Sequence, residues 1–417
     1  MASQLAQAAT FAYQLYRQRA ALAYYGYVKR SPTAQLGLRP GRENPYAIYA
    51  RMRENGPIQP TLLGNWVTPS HRLCDAVLRD RRFGVRPEEQ EVSRTGDALD
   101  LSFLEMNPPD HTRLRRLAAP AFSPKRMADY QPRIEARVHD LLDKAEAKGS
   151  FDLVSDLAAP LPIAVITDLL GIPDSESRDF ATYGAAIGGA LDGIKSLAHA
   201  ARLQRADAQL QEMFERLFAL RRREPSDDVV SRIVAAEGDQ VHPWELRPLC
   251  TLLLIAGFET TVNLIGNGVN ALLDHPDEWA KLREDPAGVA PRAVEESLRY
   301  DPPVQRTARV ALETTEIGGR TVRKGQYVIT LLGACGRDPE VFADPDRYDL
   351  DRPNAGDHLA FSSGIHYCLG QPLATLEARV AFQALAERMP KLARAGAIKR
   401  RNATTIRGPI VFPVRSS

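Results

Sequence analysis

The stretch Phe361-Ser362-Ser363-Gly364-Ile365-His366-Tyr367-Cys368-Leu369-Gly370 sets one cysteine between two glycines and just ahead of an amphipathic segment. Gly364 and Gly370 are expected to supply backbone conformations closed to other residues, while Leu373, Leu376, Val380, Phe382 and Leu385 follow at roughly helical spacing. A helix therefore begins about a turn after the cysteine. Free N–H groups and the positive end of the macrodipole at such a start lower a thiol pKa, which suits Cys368 as a thiolate ligand for a soft metal. On spacing alone, a buried small apolar residue fits Cys368 at least as well.

No Gly/Ser linker or charge run divides the 417 residues, so one large catalytic domain over 41–417 is expected behind an N-terminal extension or arm over 1–40. Lys plus Arg number 54 against 52 for Asp plus Glu, and the resulting net charge of +2 makes no case for a nucleic-acid partner. Cys74, Cys250, Cys335 and Cys368 are scattered and lack C-x-x-C pairing, which argues against a disulfide framework and a structural zinc site. No leader-type segment and no run of 18 apolar residues is present, so a soluble cytoplasmic protein, monomeric by default, is expected. Residues 11–30 mix Phe11, Tyr13, Tyr16, Tyr24, Tyr25 and Tyr27 with Arg17, Arg19, Lys29 and Arg30. They read as a helix or arm whose aromatic side chains cover the chain's own core, with a partner or membrane surface as the alternative.

Thr61-Leu62-Leu63 and Trp66-Val67-Thr68 flank Gly64-Asn65 and predict a hairpin near 58–68. Helical periodicity or composition follows at Leu141–Leu142, Leu153–Leu170, Ala200–Arg223 and Leu246–Leu273. Strand character returns at Thr321–Arg323, Tyr327–Ile329 and Pro409–Phe412. The sum is a mainly α protein with a minor β-sheet region, an α+β arrangement rather than a wound parallel sheet.

The helix from about Leu249 to Asp274 would run roughly 39 Å at 1.5 Å per residue. Its apolar run breaks at Ala256-Gly257, followed by Glu259, Thr260, Thr261 and Asn263, and a local widening that admits a small ligand is expected there. An acid beside an alcohol suits a proton relay, although Thr260 and Thr261 also fit ordinary helix packing. Glu296 and Arg299 lie three apart before Asp301-Pro302-Pro303; they form either a surface pair or a buried pair joined by Arg347. His111 and Arg115 share one helical face and, with Arg309 and His366, offer donors for a pair of carboxylates.

Together these segments resemble the cytochrome P450 haem-thiolate monooxygenases, particularly the soluble bacterial ones, over most of the chain. Phe361-x-x-Gly364-x-His366-x-Cys368-x-Gly370 is similar to the haem-binding loop, Ala256-Gly257-Phe258-Glu259-Thr260-Thr261 to the oxygen-activation helix, and Glu296-x-x-Arg299 to the Glu-x-x-Arg motif. Pro108–Arg115 and Ala121-Phe122-Ser123-Pro124 resemble the propionate-binding helix and the segment after it. Ser362 departs from a position where the family often has glycine, and Pro372 departs just before the proximal helix.

The resemblance implies haem b held by Cys368 as axial ligand beside Gly370, with His111, Arg115, Arg309 and His366 on the propionates. Ala256 and Gly257 would leave room for dioxygen, Glu259 and Thr260 would steer protons, and Glu296, Arg299 and Arg347 would hold the loop. It also implies a small organic substrate, and electrons from a ferredoxin and ferredoxin reductase docking near Arg113, Arg116, Lys125 and Arg126. Substrate contacts would come from 83–100, 183–191 and Val304. Rivals are a peroxygenase or isomerase without a redox partner, a non-catalytic haem sensor, and, weakly, a cysteine hydrolase using His366.

Overall fold

A 32-residue helix, Pro243–Asp274, runs through the middle of the molecule in the computed structural model, which describes residues 12–13, 16–87, 100–188 and 196–416. At 1.5 Å per residue it is about 48 Å long. Pro243 occupies its first turn, and Glu245 caps it by accepting from the backbone N–H of His242 at 2.9 Å. The helix is apolar on nearly all sides because other helices enclose it: Pro160–Leu170, Asp174–Gly188, Pro286–Tyr300 and Gln371–Arg388 all pack against it. It is long and apolar enough to cross a membrane, yet most of its surface is inside the core.

Most elements expected from periodicity are present. Leu197–Arg223 and Gln371–Arg388 are helices, and Leu373, Leu376, Val380, Phe382 and Leu385 are buried on the latter. The expected helix over 153–170 is instead a π-helical turn, Val154–Ala158, followed by Pro160–Leu170. Pro160, lacking a backbone N–H, falls where the second helix starts.

The main sheet has five strands: β1 (Gln59–Pro60), β2 (Trp66–Thr68), β3 (Phe83–Gly84), β5 (Thr307–Ala311) and β8 (Tyr327–Thr330), in the order β1-β2-β8-β5-β3. β1 and β2 form the expected antiparallel hairpin, and β2 pairs parallel with β8, Trp66 opposite Val328. β6 (Thr315–Ile317) pairs with β7 (Arg320–Val322), so the strand at 320–322 does not pair with the one at 327–330. β4 (Ser150–Asp152), β12 (Pro413–Arg415) and β9 (Ala393–Arg394) make a second sheet, with β12 in the centre. β10 (Lys399–Arg400) and β11 (Pro409–Val411) close a C-terminal hairpin.

The N-terminal region departs from expectation. Tyr13, Tyr16, Tyr24, Tyr25 and Tyr27 are all at least 40% exposed, so their rings do not cover the core. The contact falls to small and aliphatic residues instead: Gly26 lies against Leu38 so closely that a side chain would collide, and Leu36 packs with Ile48, Tyr49, Met52 and Leu331. Phe11 lies outside the described residues.

Candidate functional site

The loop before Gln371–Arg388 is shaped by backbone conformation. Gly364 has φ +69°, and a Cβ there would collide with the Leu78 carbonyl. Ser362, at φ +64°, adopts the same left-handed region at the cost a side chain incurs there, and its hydroxyl finds no partner among the described residues. Gly370 differs from expectation: at φ −84° its backbone is open to any residue. Ser363 donates to Asp75 Oδ1 at 2.7 Å, and the Cys368 N–H donates to the Phe361 carbonyl at 2.9 Å.

Cys368 lies before the helix start as expected, but its thiol is pushed up rather than down. Burial dominates, and the N–H groups of Gly370 and Gln371 together with Arg115 only oppose it. Permanent thiolate character therefore needs a bound metal, which deprotonates a coordinating thiol.

Cys368 lines a cavity of about 440 Å³ that Ala256 and Thr260 also line from the central helix. Phe103, Leu252, Leu253, Val304 and Ile406 give it apolar walls. The central helix keeps α-helical geometry throughout, so the expected widening is absent. Thr260 Oγ1 instead donates to the Ala256 carbonyl at 3.4 Å. Ala256 presents its surface to the cavity, whereas the side-chain position of Gly257 is filled by Ile166, whose Cδ1 would lie 2.5 Å from an added Cβ. Gly257 therefore serves helix packing as well as the cavity wall.

Glu259 is 3% exposed and forms an ion pair with Arg401, Nη2 to Oε1 at 2.7 Å. Sequence reading missed Arg401, because nothing near it in the chain announces a partner on another element.

Arg115, Arg309 and His366 line the cavity, and His111 lies against His366. The His111 and His366 rings lie 4.2 Å apart; burial, aided by Arg115 and Arg309, holds their pKa values down at about 4 and about 3. Both imidazoles are therefore neutral near pH 7. His111 is 2% exposed, and neither ring nitrogen has a hydrogen-bond partner among the described residues. Arg309 is buried, pushed down to about 10 by desolvation, and donates to neutral oxygens, Ala308 O at 2.9 Å and Thr307 Oγ1 at 3.3 Å. Arg115 donates to the Tyr367 carbonyl at 2.7 Å. A cluster of buried and half-buried donors with no carboxylate partner among the described residues, beside a cavity that also holds Cys368, fits a flat metal complex with two carboxylate arms.

Behind the loop, Glu296 and Arg299 form the buried pair, each 0% exposed. Arg299 also donates to the carbonyls of Gly336, Pro345 and Arg347 at 2.6, 2.8 and 2.8 Å. To the Glu296–Arg299 pair Arg347 contributes that carbonyl; its side chain is 63% exposed and stands 4.0 Å from Asp349 instead. The arginine that reaches Glu296 is Arg352, at 3.4 Å, which sequence reading overlooked. Its signal was a second arginine shortly after Arg347 and immediately before Pro353.

Two of the four basic residues read as a docking face are already engaged. Arg113 pairs with Glu245 at 2.7 Å and Asp110 at 2.8 Å, and Arg126 pairs with Asp227. Arg116 and Lys125 are exposed. Of the expected substrate contacts, 88–99 and 189–191 lie outside the described residues, while Val304 is on the cavity wall and bridges to Ile406.

Comparison with known proteins matches the family described as cytochrome P450 to residues 66–388. The biotin biosynthesis cytochrome P450 of Bacillus subtilis (strain 168) is 40% identical over 361 residues, 84% of this chain and 90% of the relative. A polyketide biosynthesis cytochrome P450, PksS, of the same organism is 35% identical over 397 residues, 90% of this chain and 96% of its own. Among solved structures, P450BioI in complex with hexadec-9Z-enoic acid ligated acyl carrier protein superposes with a TM-score of 0.84 at 38% identity, covering 89% of this chain and 98% of that one. Family match, relatives and shared fold agree with a cysteine loop and an Ala-Gly-Phe-Glu-Thr-Thr helix lining one cavity, and the chain belongs to the cytochrome P450 family of monooxygenases.

Proposed function

We propose that this chain is a cytoplasmic haem b monooxygenase that oxidises a long apolar or amphipathic molecule, with electrons from a separate ferredoxin and ferredoxin reductase. One observation carries the reading: a single cavity is lined by Cys368, by Ala256 and Thr260 of the central helix, and by apolar side chains. The reaction balances as substrate, dioxygen, two electrons and two protons giving hydroxylated substrate and water. Haem bound at Cys368 supplies the dioxygen chemistry, to which the thiolate contributes electron density favouring O–O cleavage.

The chain's own residues bind, orient and deliver protons. His111, His366, Arg115 and Arg309 would hold the two carboxylate arms, with the arginines supplying permanent positive charge. Thr260 passes a proton from the Glu259 side of the central helix into the cavity. Glu296, Arg299 and Arg352 hold the segment leading to the cysteine loop, and Arg116 and Lys125 offer exposed positive charge to an acidic ferredoxin. Residues 41–417 act as one catalytic domain.

The substrate class follows from cavity chemistry and relatives together. Apolar walls suit a fatty acyl or polyketide chain, and the names of two similar proteins mention a hexadecenoic acid on an acyl carrier protein and polyketide biosynthesis. A carrier-tethered acyl chain is therefore one candidate form. The test is a reduced carbon monoxide difference spectrum, followed by titration of the ferric protein with a free long-chain fatty acid and with its carrier thioester. A thiolate-type band that vanishes in Cys368→Ala, with a spectral shift from either acyl form, is expected. A band unaffected by that substitution would refute the ligand assignment.

A further inference from the structure

We infer that Arg401 is the positioning residue for Glu259, and that the C-terminal hairpin carrying it joins this carboxylate to the wall of the substrate cavity. The inference rests on the monooxygenase reading above, which requires two protons per turnover.

Glu259 is held from two sides. Arg401 Nη2 stands 2.7 Å from Oε1, and the Arg401 side chain is itself only 26% exposed. On the other side a Cβ on Gly188, at the end of the Asp174–Gly188 helix, would come within 3.0 Å of Oε2. A larger residue at 188 would crowd the carboxylate, so its position is fixed between the central helix, that helix end and the hairpin. A buried carboxylate favours its charged form only where counter-charge offsets the lost hydration, and Arg401 supplies it.

The hairpin is a rigid mount for that arginine. The Arg401 N–H donates to the Gly408 carbonyl at 3.0 Å. Gly408 lies against Asn263 of the central helix with no space for a side chain, and Asn267 Nδ2 donates to the Arg407 carbonyl at 3.0 Å. Arg400 Nη1 reaches Asn267 Oδ1 at 3.3 Å. A few residues beyond Arg401, the hairpin enters the cavity wall. Thr404 and Thr405 accept from Arg306 at 2.7 and 3.3 Å, the Gln305 N–H donates to the Thr405 carbonyl at 2.8 Å, and Ile406 bridges Val304. Arg306, Thr405 and Ile406 all line the cavity. One short segment thus connects what a substrate touches to the ion pair that fixes the proton-delivering acid.

The test compares Arg401→Gln, Arg401→Lys and Arg401→Gln/Glu259→Gln holoproteins with the wild type. Arg401→Gln is expected to keep the carbon monoxide band and the substrate-induced spectral shift while product formed per reductant falls about tenfold, part of what positioned proton transfer supplies. Arg401→Lys restores most of it, because the charge returns. Infrared difference spectra of the ferric proteins are expected to show a protonated-carboxyl stretch in Arg401→Gln that is absent from wild type and from the double variant. Unchanged product yield together with no new carboxyl stretch overturns the inference. If the Gln variant does not accumulate, Arg401→Met, which keeps the packed stem without the charge, takes its place. A wild-type protein that forms no product from any acyl chain defeats the acyl-substrate reading instead, and the infrared comparison still decides whether Arg401 holds Glu259.

Discussion

Arg299 and Glu296 meet through two hydrogen bonds of 2.7 Å in a pair with no exposed surface. Glu296 also accepts from the Asp349 N–H at 2.8 Å, so the pair ties one helix to the chain approaching the cysteine loop. Losing one partner strands the other as a buried charge. Arg299→Ala or Glu296→Ala is expected to cost about 3–5 kcal/mol, and Arg347→Ala, which removes an exposed guanidinium, within about 0.5 kcal/mol. Urea unfolding midpoints of the apoproteins decide between the two ranks; equal losses at 299 and 347 would contradict the structure.

Ser362 carries a side chain at φ +64° with a hydroxyl that has no partner among the described residues. Ser362→Gly removes both costs, against the greater freedom glycine has when unfolded. A gain of about 1 kcal/mol is expected. A midpoint that falls would mean that the hydroxyl has a role outside the described contacts.

His111, held down at about 4 against 6.5 for a free imidazole, links apoprotein stability to pH. The unfolded chain takes up this proton first. Stability from this group is therefore complete above about pH 6.5 and is lost as pH falls through about 4. Replacing His111 by Gln should flatten the dependence of the unfolding midpoint on pH across that window. An unchanged slope would remove His111 as its source.

Thr260→Val keeps the shape of the side chain and deletes the hydroxyl. Haem content and the carbon monoxide band should match wild type, while product per reductant falls by up to roughly tenfold. Unaltered coupling of reductant to product would exclude the hydroxyl from proton delivery.

Gly257→Ala places a methyl group 2.5 Å from Ile166 Cδ1. Ile166 or the Pro160–Leu170 helix that carries it must shift, costing about 1–3 kcal/mol. Pairing it with Ile166→Ala should recover part of the loss, and a second substitution that only adds to the first would show that the contact is not the cause.

What the sequence made legible was local or periodic. The helix after Cys368, the Gly64-Asn65 hairpin and the long apolar helix announce themselves through spacing that neighbouring residues enforce. Glycine conformation was legible at Gly364 but not at Gly370, because a glycine's presence does not say whether φ, space or neither requires it. The thiol of Cys368 depended on a balance between helix-start donors and burial, and burial is a property of the whole fold. Arg401 was invisible for a related reason: it partners a carboxylate on a helix far away in the chain. Arg347 attracted notice by its place in the loop, yet its backbone carbonyl rather than its charge makes the contact.

β2 pairs in parallel with β8, and β12 lies between β4 and β9. On a ribosome, Trp66–Thr68 must wait for residues 328–330, and Ser150–Asp152 for Pro413–Arg415. β12 is therefore made only after both of the strands it joins, β4 and β9. Synthesis and closure are separate events in this chain, and a nascent polypeptide halted short of Pro413 lacks the middle strand of its second sheet however long it waits.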